Sequence, residues 1–98
     1  MRKIAWNRKA ENFFYETIRF IREDSPKNSI SVEEAIYEKL EYASKFPEHF
    51  MRDKYKIENE LGLFKAFELY SLRISYYFDN TELRIVKMRH TKQKPLKY

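Results

Sequence analysis

The chain predicts an α+β domain in which two helices cover one face of a sheet. Three patterns carry that expectation. Apolar residues recur at helical spacing between positions 8 and 46, alternation at strand period begins after Gly62, and a short alternating run precedes the helices. A 98-residue chain supplies one modest core rather than two, so residues 1–98 are expected to form a single domain.

Residues 2–6, RKIAW, place Ile4 and Trp6 on one side at strand period and predict a short N-terminal strand. Asn7 is a suitable N-cap for a helix from Arg8 to about Glu23. Along it Ala10, Phe14, Ile18 and Ile21 form one stripe, widened by Phe13, with Glu11, Glu16, Arg19 and Arg22 lying away from it. Asp24-Ser25-Pro26-Lys27-Asn28 reads as a break, and Ser31-x-x-Glu34 has capping-box spacing, so the second helix is expected to begin at Ser31. Its stripe is Val32, Ala35, Ile36, Leu40 and Ala43, and Phe46-Pro47 closes it. The two helices are expected to form an antiparallel hairpin with a link of six or seven residues.

Residues 48–62 have no clear period and read as an irregular connection, with a short extended piece at Tyr55 to Ile57. LFKAFEL then sets Leu63, Lys65, Phe67 and Leu69 on one side. LRISYYF alternates Leu72, Ile74, Tyr76 and Phe78 against Arg73, Ser75 and Tyr77. Tyr70-Ser71 joins these two runs, and the turn residues Asp79-Asn80-Thr81 lead into the strand LRIVKMRH. These three runs predict an antiparallel meander, in one sheet with the helices on one face.

Composition narrows the chemistry. Cysteine is absent, which removes disulfides, zinc–thiolate sites and thiol nucleophiles. Two histidines without metal-ligand spacing and a single glycine supply neither a metal centre nor a phosphate-cradling glycine loop, so no cofactor is expected. The first residues scatter charge through MRKIAWNRKAENFF, unlike a secretory leader, and no apolar run approaches a membrane span. A cytoplasmic location without membrane contact is the expectation.

Charge is distributed unevenly. Leu83 to Tyr98 carries six Lys and Arg side chains and no acid, whereas residues 1–82 hold fourteen basic against fifteen acidic residues. A local cluster of this kind makes a field that can hold a polyanion. Arg73 alternates away from an apolar row and is expected on the sheet face that the helices leave open, where Lys65 could join it. Arg84, Lys87, Arg89, Lys92 and Lys94 are candidates for phosphate binding, with His90 and Tyr98 set among them. Cations interleaved with aromatics suit single-stranded RNA, because bases stack on rings while phosphates meet cations. Plainer roles exist for each: Arg73 as a cross-strand partner of Glu68, His90 as a structural residue, the tail as a frayed end, and His49 as exposed and inert.

KAFELYSLRISYYF followed by ELRIVKMRHTKQKP resembles the RelE/ParE superfamily of bacterial type II toxins, and the resemblance runs over nearly the whole chain. It implies a toxin neutralised by a cognate antitoxin protein. One branch cleaves messenger RNA on the ribosome without metal, as an endoribonuclease; another poisons DNA gyrase without nuclease activity. By resemblance, Arg73 falls on a strand arginine that contacts the scissile phosphate, and Lys65 on a basic position of the preceding strand. Lys92 falls on a basic position that stabilises the transition state. Tyr98 aligns with a tyrosine used by RelE-type nucleases, and His90 lies near a histidine that other nuclease subgroups use as acid or base. Arg73, His90, Tyr98 and Lys65 are therefore the expected catalytic group. One departure stands out: where RelE-type enzymes carry a second lysine two positions after the first, this chain has Phe67.

Metal-free RNA cleavage needs a base for the 2′-hydroxyl, an acid for the departing 5′-oxygen and fixed cations at the phosphate. An imidazole suits either proton-transfer role at neutral pH. The surrounding cations are expected to favour ionised Tyr98 and draw its phenol down towards neutrality.

Overall fold

Residues 1–98 are described by a computed structural model. Its elements are β1 (Lys3–Trp6), α1 (Arg8–Asp24), α2 (Pro26–Lys45), β2 (Met51–Arg52), β3 (Phe64–Leu69), β4 (Leu72–Phe78) and β5 (Glu82–His90). The strands form one mixed sheet in the order β1-β5-β4-β3-β2. β1 runs parallel to β5, and the other neighbours are antiparallel. The expected meander is thus the centre of a wider sheet, extended by β1 on one side and by the two-residue β2 on the other. No helix is long and apolar enough to cross a membrane.

Asn7 caps α1 as its sequence suggests, its side-chain oxygen accepting from the Lys9 amide at 2.9 Å. The link between the helices is a correction. It is one residue, Ser25, and α2 begins at Pro26 rather than Ser31. The Ser25 amide closes α1 on the Ile21 carbonyl, while its hydroxyl accepts from the Asn28 amide. Proline is tolerated at the first position of a helix, where its missing N–H costs nothing and its fixed φ is helical. Pro26 therefore starts the second helix instead of lengthening a break. Ser31 lies inside α2, its hydroxyl donating back to the Lys27 carbonyl.

The connection after α2 is ordered by short-range bonds. The extended piece in it is β2 at Met51–Arg52, ahead of the expected Tyr55–Ile57. Tyr55 and Ile57 instead bond the backbone of Tyr98, through Tyr98 N to Tyr55 O and Ile57 N to Tyr98 O. Gly62, with φ +68°, turns the chain into β3 in a conformation that favours glycine. Tyr70 and Ser71 both have positive φ, the hallmark of a type I′ two-residue hairpin between β3 and β4.

Alternation assigns the faces. Leu72, Ile74, Tyr76 and Phe78 of β4 join Leu83, Ile85 and Met88 of β5 in the core. Ala10, Phe14 and Ile18 of α1 and Val32, Ile36 and Leu40 of α2 close it. The Tyr76 hydroxyl, fully buried, donates to the Pro47 carbonyl at 2.6 Å. Burial costs an unpaired hydroxyl heavily, and this bond lets Tyr76 serve as core. A β-bulge between Ser75 and Tyr76 opposes Val86 and shifts the parity of β5. Beyond it Met88 and His90 share the helix side, while Lys87 and Arg89 face the other.

Candidate nucleic-acid interface

The face away from the helices carries Arg73, Ser75 and Tyr77 of β4, opposite Arg89, Lys87 and Arg84 of β5. Phe64 and Glu68 extend it on β3, opposite Tyr77 and Arg73. The basic residues of β5 therefore line one surface: strict alternation would set Arg84 on the face opposite Lys87 and Arg89, and the extra residue Val86 brings them together.

Arg73 does not stand free on that surface. It is buried, with Nη2 donating to Asp53 Oδ1 and Nη1 to Glu68 Oε2, both at 3.0 Å. The Tyr55 ring covers it, 4.8 Å from the guanidinium carbon, and Arg89 lies 5.2 Å from the same ring. Glu68 is the cross-strand partner that the sequence allowed; Asp53 is a residue that sequence reasoning missed. It is 1% exposed and sits just after β2. A lone acid among Arg52, Lys54 and Lys56 was the available signal, but no periodicity connects it to the strand opposite.

Asp53 accepts from three donors. Besides Arg73, the Tyr98 hydroxyl donates to Oδ2 and the Tyr55 amide to Oδ1. Burial pushes the carboxyl up, but the bonds from Tyr98, Arg73 and the Tyr55 amide, with a smaller effect of the nearby Ser75, outweigh it and hold Asp53 below its ordinary range. For Tyr98 the balance is reversed. Burial and the hydrogen bond to the Asp53 carboxylate push its phenol up, against the smaller opposing effects of Ser75 and Arg73. This corrects the expected drop towards neutrality: the phenol is paired with a carboxylate, which favours the proton-bearing form. Tyr98 is thus fixed as a proton donor, and its backbone bonds pin the tail rather than leave it frayed.

Two members of the expected catalytic group lie elsewhere. Lys65 is registered against Tyr76, on the side of the core residues. His90 is registered against Leu72 and its ring lies edge-on to Phe13 of α1, with centroids 5.1 Å apart. Each is separated from Arg73 by the thickness of the sheet, because strand alternation puts odd and even neighbours on opposite faces. Phe67 shares the side of Lys65 and is buried against Phe50, so a lysine there would enter the core.

The remaining cations keep to the open side or the tail. Lys87 Nζ lies 5.1 Å from the Tyr98 ring, and Lys56 Nζ lies 4.6 Å from the Phe64 ring and 5.5 Å from Tyr98. Arg89 Nη1 donates to the His90 and Gln93 carbonyls, which holds the start of the tail. Arg84 pairs with Glu82 at 2.9 Å and is half exposed. Lys92 and Lys94 are exposed. The surface therefore alternates positive heads with ring faces, around a centre where Arg73 is already neutralised.

Comparison of the chain with protein-family models and with curated proteins yields no match.

Proposed function

We propose that this chain is a toxin of the RelE/ParE kind, held in check by a cognate antitoxin, whose open sheet face binds messenger RNA on the ribosome. One observation carries the reading: Arg84, Lys87 and Arg89 project from one strand onto a face that also presents the rings of Tyr55, Phe64, Tyr77 and Tyr98. Phosphates would meet the cations and unstacked bases the rings. In cleavage, Arg73 would steady the phosphate after exchanging a carboxylate for it. As the 2′-oxygen attacks, the Glu68 carboxylate released by Arg73 would take the 2′-hydroxyl proton, and Tyr98, which burial and Asp53 keep protonated, would give its proton to the departing 5′-oxygen.

A second reading, inhibition of DNA gyrase without nuclease activity, is favoured by the separation of Lys65 and His90 from Arg73 across the sheet. That separation leaves the open face without the imidazole that a two-group proton relay would use. Induced expression with two readouts distinguishes the readings. Primer extension on ribosome-bound message should reveal new 5′ ends soon after induction, while supercoiling of a reporter plasmid stays unchanged. Intact message together with lost supercoiling would replace the first reading by the second.

A further inference from the structure

Arg73, covered by the Tyr55 ring, borders a cavity of about 480 Å³ at the β2–β3 edge of the sheet. The cavity exists because β2 is short. Leu69 and Leu72 flank a two-residue turn and so exchange both backbone bonds, as do Phe67 and Ile74 further along. Ala66 and Glu68 therefore direct their backbone groups away from β4. Ala66 meets Met51, the first residue of β2. Beside Glu68 no strand follows, because the chain ahead of β2 turns at His49, whose amide donates to the Phe46 carbonyl. The Glu68 amide is thus left to the cavity.

The charged lining is uneven. Lys39 of α2, Arg52 of β2, Lys54 and Arg73 face a single acid, Glu68. That acid is paired with Arg73, but its side chain is half exposed, so it can swing out when a phosphate takes its place. The rest of the wall suits a base. Phe50 and Phe67 pack with ring centroids 4.9 Å apart, and Lys39 Nζ lies 5.4 and 5.7 Å from them. Met51 is 82% exposed, and the exposed His49 ring stands edge-on to Phe50.

We propose that this cavity is a subsite for one nucleotide of RNA, next to the phosphate that Arg73 holds. Its own phosphate meets Lys54 and the Glu68 amide, and its base lies against Met51 and His49 beside Phe50. RNA lying along Lys87 and Arg89 would pass Arg73 and turn round the edge of β3, which joins the open face and the cavity in one footprint. The choice of ligand rests on the RNA reading, whereas the place rests on the cavity. His49, otherwise an inert exposed ring, acquires a role.

The chain has three methionines and two histidines, which makes them separable NMR reporters. Met51 and His49 line the cavity, while Met88 and His90 lie away from it. Titration of the full chain with adenosine 3′,5′-bisphosphate should move the Met51 methyl and His49 ring signals saturably and leave Met88 and His90 in place. Lys54→Glu, at an exposed position, should weaken this binding about tenfold, and Lys94→Glu on the tail should not. No movement of Met51 and His49, or equal movement of all four reporters, would overturn the proposal. Equal movement by inorganic phosphate would also overturn it, leaving an anion site without a place for a base. An RNA oligomer that binds the parent but leaves Met51 and His49 unmoved would reject the subsite and keep the open-face reading. Nucleotide binding at Met51 and His49 in a chain that cuts no message would keep the subsite and reject the nuclease.

Discussion

Arg73 shows how one buried partner changes the meaning of a residue. From alternation alone it is a solvent-facing cation, and its removal should leave the fold intact. With Asp53 fully buried against it, Arg73→Ala leaves a carboxylate without its one charged donor. Breaking such a pair costs about 3 kcal/mol, which for a domain of this size lowers Tm by roughly 12 °C or more. A thermal melt checks this, and loss of activity in that variant alone therefore says little about phosphate contact. Asp53 also fixes a pH dependence. Its folded-state pKa is depressed, so its contribution is present above the unfolded value of about 3.9 and is lost as pH falls through the lower folded one. Asp53→Asn should be less stable than the parent at pH 7 and show a shallower decline on acidification, measured by urea denaturation between pH 7 and 3. For Tyr98 the sign is opposite. Its raised pKa stabilises the fold below the unfolded value of about 10, and the contribution is lost as pH rises through the folded one. Tyr98→Phe should remove that part of the alkaline loss. The Arg73–Glu68 pairing was legible, because a hairpin register follows from turn position. The Asp53 contact was not, because it joins an aperiodic segment to a strand twenty residues away.

The elements were mostly legible where their period is long. Both helices, the hairpin and the turn at Asp79–Thr81 follow from spacing and turn chemistry. The junction at Ser25 did not, because two start signals competed and the nearer one won. Pro26 preorganises a helix start, and Ser25 can serve both ends at once, which leaves Ser31 as an interior residue. Ser25→Ala should therefore cost about 1 kcal/mol, whereas Ser31→Ala should be neutral or slightly stabilising. Capping at Ser31 would give the reverse order in chemical denaturation. The hairpin at Tyr70-Ser71 holds two non-glycine residues in left-handed backbone. Replacing them by Asn-Gly should raise stability by about 1 kcal/mol, and an unchanged denaturation midpoint would mean the turn relaxes in solution. β2 was missed because two residues carry no period, and the β1–β5 pairing because a parallel neighbour leaves no turn between its strands.

Across the whole molecule, an uneven charge distribution becomes a two-sided sheet. One side is closed by the helical hairpin and takes Lys65 and His90 with it; the other collects Arg84, Lys87 and Arg89 among aromatic rings. The local basic cluster was visible in the sequence, and so was its placement at the last strand and tail. The division of the cluster between faces depended on the bulge opposite Ser75, which no composition or spacing announces. The most direct measurement is equilibrium binding of a labelled single-stranded RNA to the parent and to Lys87→Ala/Arg89→Ala over a range of salt. On the proposed reading, phosphate contacts by Arg84, Lys87 and Arg89 should give log K against log salt a slope of about −2, and losing two of them should bring it to about −0.7, with weaker binding throughout. His90→Ala and Lys65→Ala, on the far side of the sheet, should bind as the parent does. A double variant that keeps the parent's affinity and slope, or His90→Ala weakening binding as much as it does, would contradict RNA recognition by this face.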